Sequence, residues 1–150
     1  MGCQIMIDSF EGEYAFLSNY YPCEVIFDGI RYQSSEAAYQ AQKCAYPSVR
    51  KEFVGLTADE AKKKGRAVRI RGDWEDIKNH VMVDVLIEKF KQHPELAKRL
   101  ADTGNEELIE GNTWGDTYWG RCNGIGMNLL GQMLQIIREA AKLGWFGEAQ

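Results

Sequence analysis

Hydrophobic and polar positions follow two different rhythms along this chain. Cys3–Ile7 and Cys23–Phe27 are rich in strand-forming residues. Asp28-Gly29, set between the second run and Ile30-Arg31-Tyr32, predicts a tight hairpin, because an Asp-Gly pair adopts the positive φ angles that a two-residue turn needs. From Ser34 onward the spacing becomes helical. Ser34 can cap a helix running from Glu36 to about Cys44, with Pro47 as its stop. Thr57-Ala58-Asp59-Glu60 has the form of a capping box and predicts a short helix to about Gly65. Asp73 can cap a longer helix in which Ile77, Val81, Val85 and Met82, Leu86, Phe90 recur at helical spacing and form a buried stripe.

Pro94 and Gly104 frame a further helix over Glu95–Asp102, since proline suits the first helical position and glycine the residue beyond the last. Leu108–Glu110 predicts a short strand. A final helix from about Met127 to Leu143 turns Leu130, Met133, Leu134, Ile137 and Ala141 inward and ends before Gly144. The expected architecture is mainly α: one compact domain over residues 1–150, made of packed helices with a small β-hairpin or sheet element.

Composition narrows the picture. The chain has 150 residues, of which 45% are hydrophobic, 27% charged and only 3 proline, a balance that suits a globular domain with a real core. No apolar run approaches the roughly 18–20 residues that span a bilayer, and the N-terminus lacks the stretches of a secretory signal, so a cytoplasmic location is expected. The 18 Lys and Arg against 22 Asp and Glu give a net charge of −4, which argues against a broad basic surface for nucleic acid. Cysteines 3, 23, 44 and 122 form no C-x-x-C pair, so reduced thiols are expected, and no motif calls for a metal or cofactor.

Two stretches carry candidate chemistry. On the first helix, Glu36, Tyr39, Gln40 and Lys43 share one stripe while Ala37, Ala38 and Ala41 occupy the rest of the circle. That stripe either faces water or lines a cleft, and the bulk of Tyr39 weighs toward the cleft. Glu36 stands in the first turn, where the helix dipole and free N–H groups favour an ionised carboxylate fit for a base, a nucleophile or a stabiliser of developing positive charge. The second stretch, Trp114 to Asn128, packs Trp114, Tyr118, Trp119 and Asp116 among several glycines and ends at a helix start. It either pins an ordered loop into the core or offers flat faces for a base and N–H groups for an anion.

Smaller signals surround them. Arg66, Arg69 and Arg71 could meet a phosphate or simply face solvent. His80 and His93 lack the spacing of a metal site or triad, Trp74 reads as core, and Trp145 as a clamp on the C-terminal tail.

Taken together, the motifs resemble the YbiA-like family, also called NADAR for its association with NAD and ADP-ribose. The matching stretches appear in family order: Phe16-Leu17-Ser18-Asn19-Tyr20-Tyr21-Pro22, Phe27-Asp28-Gly29, Ser35-Glu36 with Tyr39-Gln40-Ala41-Gln42-Lys43, Gly65-Arg66, Asp73-Trp74 with Lys78, and Lys89-Phe90. They continue through Leu100-Ala101-Asp102-Thr103-Gly104, Leu108-Ile109-Glu110, Asp116-Thr117-Tyr118-Trp119-Gly120 and Gly126-Met127-Asn128-Leu129-Leu130-Gly131. The resemblance implies a mainly α YbiA-like fold and hydrolysis of the N-glycosidic bond between a ribose and a nitrogen base. Family activities include cleavage of ribosylaminopyrimidine phosphates of early riboflavin biosynthesis and removal of ADP-ribose from guanine in DNA or RNA. It further implies Glu36 as the catalytic carboxylate, with Lys43, Trp74, Asp116 and Asn128 around its pocket. Many members carry His after the motif glutamate, where this chain has Ala37.

The chemistry expected from this resemblance is specific. Breaking a ribosyl C–N bond places positive charge on the sugar, which Glu36 would stabilise, while Asp116 would protonate the departing base or activate water. Tyr118 and Trp119 would stack on the base, Tyr39, Gln40 and Trp74 would line the substrate site, and Arg66 with the loop N–H groups near Asn128 would meet phosphate. In a rival route Lys43 attacks the ring-opened ribose as an amine, for which a nearby carboxylate is unfavourable. The expected substrate is a small ribosylated base or an ADP-ribosylated nucleic acid, without membrane or metal. A non-catalytic module that merely binds ADP-ribose or a nucleotide is the alternative.

Overall fold

The computed structural model describes residues 6–147; Cys3 and the expected strand residues up to Ile5 lie outside them. The elements in chain order are β1 (Met6–Ile7), a 3-10 helix (Gly12–Leu17), β2 (Val25–Phe27), β3 (Ile30–Tyr32), α1 (Ser35–Ala41), a second 3-10 helix (Pro47–Phe53), α2 (Ala58–Gly65) and α3 (Trp74–Gln92). There follow α4 (Pro94–Asp102), β4 (Glu107–Leu108), β5 (Gly111–Asn112), β6 (Arg121–Cys122) and α5 (Leu129–Lys142). The fold is mainly helical, with strands of two or three residues. It divides into two compact units, one formed by Asn19–Gln92 and the other by the chain before and after that segment.

In the Asn19–Gln92 unit, β2 and β3 form the expected hairpin, with Asp28 at φ 50° and Gly29 at φ 79° making the turn. Gln92 clasps the outer edge of this hairpin, accepting from Ile26 N–H and donating to its carbonyl, both at 2.8 Å. The helix-start signals at Ser34 and Thr57 are realised, whereas the Asp73 carboxylate, expected to cap α3, accepts from Arg71. Ser34 Oγ accepts from Ala37 N–H at 3.1 Å, and Thr57 and Glu60 exchange the two bonds of a capping box. α1 packs against α2 and α3, and its Ala37, Ala38 and Ala41 are fully buried.

Three expectations in this unit are corrected. α1 ends at Ala41 rather than near Cys44, because residues 43–45 leave the helix to pair with 69–71: Ala45 N–H bonds Arg69 O and Arg71 N–H bonds Lys43 O, each at 2.9 Å. Pro47 does not merely stop a helix; it opens the second 3-10 helix as its first residue. On α3, Met82, Val85, Leu86 and Phe90 are buried as the period requires, but Ile77 and Val81 are only half-buried and Lys89 takes a core position.

In the other unit, α4 packs on α5, and β1 pairs in parallel with β4. Pro94 is the first residue of α4, and Gly104 follows the cap residue Thr103 with φ 71°. The expected strand at Leu108–Glu110 resolves into β4 and β5 with a tight turn between them, Gly111 N–H reaching Ile109 O at 2.9 Å. β5 and β6 pair in parallel over two residues, too few to leave a periodic signal. α5 begins at Leu129 rather than Met127, since Asn128 sits in the left-handed region at φ 53°. On its inner face Leu130, Leu134 and Ile137 are buried together with Arg138, whose guanidinium donates to Thr103 Oγ1 at 3.0 Å and to Glu106 O at 2.7 Å. Trp145 is 76% exposed, and the end of the tail it is expected to clamp lies outside the described residues.

Candidate functional site

The start of α1 is held by Asn19. Its carbonyl accepts Glu36 N–H at 3.0 Å, its Oδ1 accepts the Ser35 hydroxyl at 2.9 Å, and its Nδ2 donates to Met82 Sδ at 3.3 Å. The first-turn N–H groups of Glu36 and Ala37 are therefore bonded to Asn19 and Ser34, so the helix dipole, and not free N–H groups, acts on the Glu36 carboxylate. Glu36 itself is half-buried. The stripe it shares does not face water: Tyr39 is 4% and Gln40 5% exposed. Gln40 Nε2 donates to Glu36 Oε2 at 2.7 Å, and the Tyr39 ring meets the indole of Trp74 at 5.2 Å between centroids. Trp74 is buried at the start of α3, as its core reading requires, and through Tyr39 it also anchors the Glu36 helix.

Apart from Glu36, the charges acting on Lys43 are cations. The Lys43 amine lies in the turn after α1, and burial pushes its pKa below the usual lysine value; Arg66, Lys62 and Lys78 push the same way, while Glu36 opposes them. Glu36 favours the charged amine, as expected of a nearby carboxylate, but desolvation and the three like charges together outweigh it and leave the pKa lowered. The Tyr20 phenol is pushed up to about 12, first by burial and then by the charges of Glu36 and Asp59, with Arg66 opposing. Tyr20, Glu36, Lys43 and Arg66 therefore share one electrostatic neighbourhood, in which the Tyr20 proton is firmly held.

The second stretch is built from reciprocal backbone capture. Asn112 accepts Asp116 N–H at 3.0 Å and donates to the Asp116 carbonyl at 2.9 Å. Asp116 Oδ1 then takes Tyr118 N–H at 3.0 Å and Trp119 N–H at 2.9 Å. Tyr118 and Trp119 meet edge to face, 4.8 Å apart and both half-buried. The expectation that N–H groups near Asn128 meet phosphate is overturned. Met127, Asn128, Leu129 and Leu130 donate theirs to the carbonyls of Thr117, Gly120, Tyr118 and Trp119, at 2.8–3.2 Å. Asn128 is 1% exposed, its Oδ1 accepting Glu110 N–H and its Nδ2 donating to Leu108 O, each at 2.9 Å. Trp114, 62% exposed, opens onto a cleft of about 580 Å³ with Asp8, Glu11, Asn112, Arg121 and Asn123.

The structure thus gathers Glu36, Tyr39, Gln40, Lys43, Arg66 and Trp74 in one unit, and Asp116, Tyr118, Trp119 and Asn128 in the other. Of the arginine cluster, only Arg66 belongs to the first group. Arg71 pairs with Asp73 at 2.6 Å and Arg69 donates to Tyr46 Oη at 3.2 Å, both drawn away by the ladder of residues 69–71. His80 is exposed and His93 lies 3.3 Å from Glu95. Sequence reasoning missed Asn19, Tyr20, Lys62 and Lys78. Asn19, Tyr20 and Lys78 stood inside matched stretches without a role, and Lys62 belongs to a run of lysines that reads as a solvated helix face. Among the described residues, no group of three or more His, Cys, Asp or Glu is placed to hold a metal ion, and no helix is long and apolar enough to cross a membrane.

This scaffold and these motifs define a NADAR protein: the NADAR domain family model matches residues 7–142, and the chain belongs to that family. It is 39% identical over 132 residues to a riboflavin biosynthesis protein of Vibrio vulnificus, covering 84% of this chain; the chain spans 35% of that relative's length. It is 35% identical over 131 residues to the N-glycosidase YbiA of Escherichia coli, covering 85% of this chain and 81% of YbiA. The NMR structure of Escherichia coli YbiA superposes with a TM-score of 0.83 at 31% identity, covering 98% of this chain and 90% of that one.

Proposed function

We propose that this protein is an N-glycosidase that hydrolyses the bond between a nitrogen base and a ribose carrying phosphate or ADP. The observation that carries the reading is the half-buried Glu36 carboxylate, oriented by Gln40 at 2.7 Å and acting on a Lys43 amine whose other charged neighbours are cations, in a chain related to a named N-glycosidase. The carboxylate suits the positive charge that develops on the ribose as the C–N bond breaks, and the cations suit a phosphorylated sugar, with Arg66 as the phosphate partner. Tyr39 and Trp74 shape the site, and Asp116 is the candidate for protonating the base or activating water, with Tyr118 and Trp119 as its stacking faces. The family resemblance, with a relative named for riboflavin biosynthesis, supports a ribosylaminopyrimidine phosphate as substrate, with ADP-ribosylated guanine in nucleic acid as the second candidate. The location proposed for this activity is the cytoplasm.

The test is direct. Glu36→Gln is expected to leave the fold intact and to stop release of free base from either substrate, followed by mass spectrometry. Ligand binding without turnover in the wild-type protein would instead establish a non-catalytic ADP-ribose or nucleotide module.

Lys43, half-buried in the turn after α1 and within electrostatic reach of Glu36, offers a second route. Its neutral Nζ would attack C1 of the ring-opened sugar, the base would leave with a proton, and water would hydrolyse the resulting imine, freeing the Lys43 amine and the ribose with its phosphate or ADP still attached. Borohydride during turnover is expected to trap a sugar adduct on Lys43 in this route, whereas an unchanged protein mass would exclude it.

A further inference from the structure

Gly65 closes α2, yet the usual reason for glycine at a helix end does not apply. The residue is helical, and Arg66 behind it is right-handed as well, at φ −81° and ψ −17°. What Gly65 lacks is volume. A Cβ built on it would stand 2.0 Å from Gln40 Oε1 and 2.9 Å from Gln40 Cδ. The Gln40 amide therefore rests directly on the Gly65 backbone, in space that every other residue would fill.

The orientation of that amide is fixed by chemistry. An ionised carboxylate only accepts, so the –NH₂ end must face Glu36, and Nε2 donates to Glu36 Oε2 at 2.7 Å. The oxygen is then turned the other way. Gln40 Oε1 is buried without a hydrogen-bond partner among the described residues, in contact with the Gly65 backbone. Leaving a buried acceptor unbonded is unfavourable, and such groups in native structures gather where function demands them. The amide is thus held by shape on one arm and by Glu36 on the other.

We infer that Gly65 and Gln40 form a positioning pair for Glu36: the missing side chain of Gly65 makes a seat for the Gln40 amide, and the seated amide fixes the direction of the Glu36 carboxylate. The inference rests on the reading of Glu36 as the catalytic carboxylate and adds Gly65, acting through Gln40, to the machinery. Any larger residue at 65 pushes the amide off its seat and frees the carboxylate to rotate. Loss of activity then arises in kcat more than in KM, since the carboxylate acts on charge that appears during the reaction.

The experiment compares wild type, Gly65→Ala, Gln40→Ala and the double variant. One readout is the side-chain amide signals of Gln40 in ¹H–¹⁵N spectra; the other is kcat and KM with a ribosylaminopyrimidine phosphate. In wild type the two Gln40 amide protons are expected apart from those of solvent-exposed glutamines and slow to exchange, and Gly65→Ala should move them to the solvent position. Each single variant should lower kcat about tenfold, the size of one charged hydrogen bond, with little change in KM. The double variant should be no slower than Gln40→Ala, because Gly65 acts only through Gln40. Should Gly65→Ala alone fail to fold, the double variant is expected to fold, the clash being gone. Unmoved amide signals in Gly65→Ala, a multiplied loss in the double variant, or a double variant that also fails to fold would each overturn the inference. Full activity in Glu36→Gln would refute the role of Glu36, and an inactive wild type the proposed function; in either case the amide signals still decide whether the seat exists.

Discussion

Asp116 holds the backbone of Trp119: its Oδ1 accepts the Trp119 N–H at 2.9 Å while also taking the N–H of Tyr118 at 3.0 Å. This bond separates two roles for the same side chain. Asparagine keeps an oxygen in that position, so Asp116→Asn should retain the loop and the urea midpoint. If Asp116 moves a proton, as proposed, the same variant should lose about a hundredfold or more in kcat. Asp116→Ala should lose both bonds and about 2–3 kcal/mol of stability. An Asn variant with wild-type turnover would reduce Asp116 to a builder of the loop.

Asn128 makes a different prediction. Its side chain bridges Glu110 N–H and Leu108 O while its backbone is left-handed at φ 53°. Asn128→Ala leaves both buried groups without their partner and places alanine in a conformation it adopts reluctantly, so a loss of about 3 kcal/mol or more is expected in urea denaturation. The damage should fall on stability. A variant of wild-type stability with a specific loss of substrate affinity would make Asn128 a ligand contact instead.

The Lys43 amine provides a pH test. Burial, then Arg66, Lys62 and Lys78, hold its pKa below 10.5, and Glu36 works against them. A titration of the amine by ¹³C NMR after reductive methylation should therefore find its midpoint below the ordinary lysine value, and lower still in Glu36→Gln, where the opposing charge is gone. A midpoint that rises in that variant would mean Glu36 does not face the amine.

Lys89 tests the core. It is fully buried, its Nζ lies 5.8 Å from the centre of the Tyr21 ring, and burial pushes its pKa down to about 8. Below that pH the folded protein must hold a buried charge that the unfolded chain leaves in water. The sign follows: between about pH 8 and 10.5 the unfolded state binds the extra proton, so raising the pH adds stability. Compared with Lys89→Met, in which every other titrating group is retained, wild type should gain about 3 kcal/mol over that range. A constant difference between the two urea midpoints would show that Lys89 keeps one charge state throughout.

Local signals predicted local structure well. Ser34 capping α1, the Thr57–Glu60 box, the Asp28-Gly29 turn and Pro94 opening α4 each concern groups within a few residues of one another, and each is realised. Where the reading missed, a partner far along the chain decided the outcome. α1 stops early because residues 43–45 pair with 69–71, and α5 starts late because carbonyls of residues 117–120 take the N–H groups that would otherwise begin it. The same holds at the candidate site. The Glu36, Tyr39, Gln40 and Lys43 stripe was legible from helical spacing, but Tyr20, Lys62 and Lys78 join it only through folding.

The sequence alone determined which segments are helical, how most of them start, and, through the order of its motifs, the family to which the chain belongs. These rest on short-range backbone bonding and on residue identity, both present in the linear chain. Tertiary structure alone decided that a stripe of polar residues is buried rather than solvated, that burial and neighbouring cations win over Glu36 at the Lys43 amine, and that Gly65 is glycine for the sake of Gln40. Desolvation, charge proximity and excluded volume depend on distances between groups remote in sequence, and those distances exist only once the chain has folded.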